Sequence, residues 1–147
     1  MSYLDDTNLT RENVLNARAI MMKCKPLQIP IQKLNDDNEM SLLLDITQKA
    51  ETIIILSEDY QKDKTLSDLD YANEVCANAH SILDTVDRLH PTVKEMWDRI
   101  LMQTLYQIAL ISNSILMINQ TYAENVEKKE EKHLRNTVNE ILKDEDF

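Results

Sequence analysis

Glycine is absent from this chain of 147 residues. An average chain of this length holds about ten. The absence excludes phosphate-cradling loops, dinucleotide fingerprints and strand-to-helix nucleophile elbows, since each needs a backbone that a Cβ would obstruct. Tight two-residue hairpins lose their favoured turn residue too. Helix ends must place asparagine in the left-handed conformation, or fray. Aromatics are scarce, with one Trp, one Phe and five Tyr, so Leu, Ile, Met and Ala have to fill the interior. Only three prolines interrupt the chain.

Basic charge is also in deficit. Sixteen Lys and Arg face 26 Asp and Glu, for a net charge of −10. The cations are scattered or paired with acids, which disfavours a nucleic-acid surface and docking on anionic lipid. Two cysteines, Cys24 and Cys76, fall inside expected helices and read as reduced core thiols. The N-terminus MSYLDDTNLT is polar and acidic, unlike a secretory signal, so the expectation is an intracellular protein, cytoplasmic or nuclear. On that reading the Asn8-Leu-Thr10 and Asn119-Gln-Thr121 triplets are not glycosylation sites.

What is abundant is apolar helix. Pro91 to Tyr122 is the organising stretch, with no charged side chain between Arg99 and Glu124. Val93, Trp97, Ile100, Thr104, Ile108, Ile111, Ile115, Ile118 and Tyr122 recur at steps of three and four, the period of a helix face. Pro91 suits a first helical position, where its missing N–H is no loss. Leu101, Leu105, Leu110 and Met117 widen the stripe, so the element reads as a central helix. Gln103, Thr104, Gln107, Ser112, Asn113, Ser114 and Asn119 interrupt the run, several of them on one side as a narrow wet strip, which argues against a membrane span.

Around it the pattern predicts an all-α bundle of four or five helices. Residues 1–9 read as a flexible arm and Thr10 as the first cap. Val14, Ala17, Met21 and Cys24 form a core face that Pro26 ends. Residues 25–34 (KPLQIPIQKL) read as an extended connector, with Ile29 and Ile31 as candidate partner contacts. The NDDN cluster at 35–38 starts a second helix. EDYQKDKT, 58–65, reads as a connector. Ser67 caps a third helix whose face is Leu69, Ala72, Cys76, Ala79, Leu83 and Val86. This helix and the central one form a tight antiparallel pair. The bundle domain is expected over 10–122. A charged helix and acidic tail follow over 123–147, either continuous with the central helix or folded back on it.

No catalytic constellation emerges. Cys76, His80 and Asp84 share a helical face, but a defined metal site needs three or four ligands of fixed geometry, and none accompany them. The expectation is therefore no cofactor, no metal and no enzyme activity. The surplus of apolar helix surface predicts a protein-interaction module, an adaptor or subunit of an intracellular assembly. It would bind through a groove beside the third and central helices or through the last helix, at Leu134, Val138, Ile141 and Leu142. Self-association is one option for the partner. The alternative function is a membrane-associated protein that inserts residues 100–122.

Overall fold

In the computed structural model the described residues, 5–63 and 65–145, form four α-helices: α1 Asp6–Gln32, α2 Asp37–Asp63, α3 Asp68–Glu95 and α4 Arg99–Glu145. Each helix packs on its neighbours in chain order and α4 closes the ring on α1. This is an all-α, up-down-up-down bundle with an extended last helix. No strand occurs among the described residues.

The core is a set of seams with a 3.5-residue repeat. α2 buries Leu43, Ile46, Ala50, Ile53, Ser57 and Tyr60. α3 buries Ala72, Val75, Ala79, Ile82, Val86, Leu89 and Val93. α4 contributes Leu101, Leu105, Ile108, Ser112, Ile115 and Asn119. Steps of three and four in strict alternation keep each seam pointed at its neighbours, as in left-handed four-helix packing.

Several expectations are corrected. The chain is helical from Asp6, not from 10. Asp5 is the cap, its carboxylate accepting from the Asn8 N–H at 2.8 Å. Leu9 is fully buried, so residues 5–9 belong to the bundle. Residues 1–4 lie outside the described residues. α1 then runs through Pro26 and Pro30 to Gln32, where an extended connector was expected. Pro26 and its would-be acceptor Met22 are both exposed, so water satisfies the freed carbonyl and the helix survives. Pro91 behaves likewise. It sits on the solvent face within α3, beside exposed Asp87, and does not begin the central helix. The 58–65 stretch is helical as far as Asp63.

The helix break lies at residues 96–98 instead. Trp97 has a left-handed backbone, φ 55, and the Asp98 carboxylate accepts from the N–H groups of Ile100 and Leu101 at 2.9 and 3.2 Å. Asp98 is thus the cap of α4. The α1–α2 link uses a left-handed Asn35, φ 57, the role glycine usually fills. Ser67 caps α3 as expected, accepting from the Asp70 N–H at 3.1 Å.

Candidate functional site

α4 is one unbroken helix of 47 residues, about 70 Å long at 1.5 Å per residue. Its first half closes the bundle. After Ala123 none of the described residues is buried, and from Glu127 to Lys143 every residue is exposed. This second half is an overhang projecting beyond the end of the bundle that holds the start of α1. Its charged residues hold it in solvent. Arg135 Nη2 lies 3.2 Å from Glu131 Oε1 one turn away, an exposed pair worth a few tenths of a kcal/mol.

The overhang carries the four sequence-predicted contacts. Leu134, Val138, Ile141 and Leu142 are all exposed and, at i, i+4, i+7 and i+8, share one stripe. The other two predicted contacts part company. Ile29 is 63% exposed on α1, whereas Ile31 is fully buried in the bundle's own core and is not offered to a partner.

Within the bundle, α4 departs from the expected polarity in part. Gln103, Gln107 and Asn113 of the predicted wet strip are exposed, but Ser112 and Asn119 are fully buried. Several predicted core residues are outside, with Ile100, Leu110 and Met117 at 71, 66 and 58% exposure. Tyr106 is half exposed on the same helix.

Asn119 is buried with both partners supplied, Asn13 of α1 and the Ile115 carbonyl of its own helix, to which its Nδ2 donates at 2.7 Å. Asn13 of α1 and Asn119 exchange amide hydrogen bonds, Asn13 Nδ2 to Asn119 Oδ1 at 3.0 Å and Asn119 Nδ2 to Asn13 Oδ1 at 2.7 Å. Asn13 Nδ2 also donates to the Tyr71 hydroxyl of α3 at 2.9 Å. That hydroxyl lies 2.5 Å from Ser57 Oγ of α2, which in turn donates to the Ile53 carbonyl at 2.7 Å. Ser57 has spent its proton on Ile53, so Tyr71 donates to Ser57. The Tyr71 ring stacks on Tyr60 with centroids 4.1 Å apart, and the Tyr60 hydroxyl donates to Asp68. A polar layer contributed by all four helices therefore closes the end of the core from which the overhang leaves. Burial raises the Tyr71 pKa, against a smaller opposing pull from its hydrogen bonds with Ser57 and Asn13.

Between α3 and α4 lies an open groove of about 490 Å³. His80, Leu83, Asp84 and Asp87 line one wall, with His90, Tyr106 and Ala109 beyond them. His90 Nε2 approaches the Tyr106 hydroxyl at 3.4 Å. The Cys76–His80–Asp84 set does not converge. His80 pairs in solvent with Asp84 at 3.5 Å, while the Cys76 thiol turns inward toward the Leu116 carbonyl at 3.8 Å. Among the described residues no group of three or more His, Cys, Asp or Glu is placed to hold a metal. Both thiols are free, and burial raises the pKa of each.

By length and composition α4 is also apolar enough to cross a membrane, a test that the core helix of a bundle passes as well. No protein-family model, curated protein or solved structure matches this chain.

Proposed function

We propose that this chain is a non-catalytic protein-interaction module, an adaptor or subunit of a larger intracellular assembly, that docks through the α4 overhang. The supporting observation is the stripe Leu134, Val138, Ile141 and Leu142, held exposed on a rigid helix clear of the bundle. A contiguous apolar stripe rimmed by charge is the usual anatomy of a helix that is covered by another protein. The buried Asn–Tyr–Ser layer supports the same reading, since it fixes the register of α4 and hence the face its extension presents. A photoreactive residue replacing Val138 tests it in cells. Covalent adducts with polypeptide are expected, and their absence at the native expression level would sink the reading.

The hydropathy of α4 supports a second reading, in which the helix inserts into a membrane. Insertion would have to strip Leu105, Ile108 and Ile115 from the core. Liposome flotation separates the two readings. Leu110→Lys is the informative variant, because Leu110 is exposed and its replacement leaves the bundle folded. A protein that floats, and stops floating with this change, inserts.

A further inference from the structure

We infer that the occupant of the overhang is the exposed face of α4 in a second copy of this chain, the two α4 helices pairing antiparallel and each overhang lying along the other's bundle. The inference rests on the docking role above and names the partner.

The first ground is register. On the outer side of α4 a second seam runs parallel to the core seam, again in alternating steps of four and three. It begins with Tyr106, Leu110 and Met117 on the bundle and ends with Leu134, Val138 and Ile141 on the overhang. Between the two apolar blocks lie polar positions, including Gln120, Glu124 and Glu127. All are exposed. One continuous seam at this spacing is what a partner helix needs for knobs-into-holes contact. With a twofold axis between Asn125 and Val126, the two apolar blocks meet each other. Leu110 falls opposite Ile141 of the second copy, and Met117 opposite its Leu134. The last described residue of the helix, Glu145, then falls opposite Tyr106, where the exposed apolar seam starts.

The second ground is area. The six seam residues and Leu142 are each 45–66% exposed. If each surrenders about 100 Å², the reciprocal pair buries roughly 1,400 Å², within the range of stable interfaces. Overhang on overhang alone would bury roughly 800 Å², the size of an incidental contact.

The third ground is charge. Residues 65–87, which include most of α3, contain no Lys or Arg and five acids, Asp68, Asp70, Glu74, Asp84 and Asp87. Residues 128–135 of the overhang hold four basic side chains against two acidic ones. In the antiparallel arrangement this basic half runs beside the acidic helix of the other copy, because α3 and α4 are neighbours and Cys76 lies level with Leu116. The arrangement carries two costs. Val138 falls opposite Asn113, the exposed polar residue at the seam position between Leu110 and Met117. Glu124 and Glu127 of the two copies face each other at the axis, with Lys128 and Lys129 close by.

Sedimentation and light scattering on the full chain decide the matter. A mass twice 17.1 kDa is expected at micromolar concentration. Leu134→Asp and Leu110→Asp lie on opposite apolar blocks and are both exposed in one copy, so each should leave the helical circular dichroism unchanged. Each should weaken the dimer tenfold or more, and Glu127→Gln should tighten it. A wild-type monomer at all concentrations overturns the inference. Dissociation by Leu134→Asp without any effect of Leu110→Asp overturns it too, by showing that the overhangs pair only with each other. If the chain is monomeric yet a photoreactive residue at position 138 still labels another polypeptide, self-pairing is wrong and the docking role stands. If it labels none, both fall.

Discussion

The residue that most constrains this bundle is Asn119, a polar side chain at the centre of an apolar seam. Two amides that satisfy each other are safe inside a core, whereas one alone strands several donors and acceptors. Asn119→Ala is therefore expected to lower unfolding stability by about 2–4 kcal/mol, measured by denaturant titration. Replacing Asn13 and Asn119 together by Leu should cost less than the sum of the single changes. Ser112 is the contrary case. Its Oγ is fully buried with no hydrogen-bond partner among the described residues. Ser112→Ala should be neutral or stabilise by up to about 1 kcal/mol, because the hydroxyl contributes only its desolvation cost. Tyr71 links this layer to pH. Its folded pKa is raised, so its contribution to stability is intact below its unfolded value of about 10 and fades as pH rises beyond it. Tyr71→Phe should flatten that alkaline decline, even though losing the hydroxyl lowers stability at neutral pH.

Among the helices, the surprise is where they stop. All three prolines lie inside helices, although a proline inside a helix costs about 3 kcal/mol relative to alanine. Pro26→Ala restores an N–H to the Met22 carbonyl on an exposed face, and a rise in melting temperature is expected, for about 1 kcal/mol or more. Trp97 carries a left-handed backbone with no packing in return, so Trp97→Gly should also stabilise, by about 1 kcal/mol. The all-α bundle, the capping role of Ser67 and the α3–α4 pairing were legible because periodicity and capping are local, whereas the choice between four and five helices was not. The proline positions were not, because a proline's cost depends on which face of the helix meets water. The phase of the seams was hidden for a related reason. Leu110 and Met117 are as apolar as Leu105 and Ile108, and only Asn13, Ser57 and Tyr71, distant in sequence, turn Asn119 inward. A third-helix face containing Leu69, Cys76 and Leu83 was likewise one position away from the observed Val75, Ile82 and Leu89. The overhang stripe was visible as four apolar residues at helical spacing in a charged stretch, but its exposure was not, because a last helix folded back on the bundle would have buried the same four.

For the molecule as a whole, the bundle and the overhang form one mechanical body with two very different protections. Each bundle helix has one face covered by its neighbours, whereas from Glu127 onward the helix is exposed on every face. Limited proteolysis at low concentration should therefore trim the chain beyond Ala123 and leave the bundle whole. In a reciprocal dimer the rate of trimming should fall as concentration rises, a dependence that fraying alone does not produce.

The placement of Trp97 governs how such experiments can be read. It is the sole tryptophan, 92% exposed at the bundle end away from the overhang. Its fluorescence should already peak at the wavelength of indole in water in the native state, and unfolding should shift it little. The stacked Tyr60–Tyr71 pair, not the indole, should then dominate the near-ultraviolet dichroism that vanishes on melting. In the antiparallel dimer the described helix of the second copy reaches only as far as Tyr106, so the indole stays wet there too. A blue shift of its emission would accordingly announce a third participant, bound at the opposite end from the one that pairs the two copies.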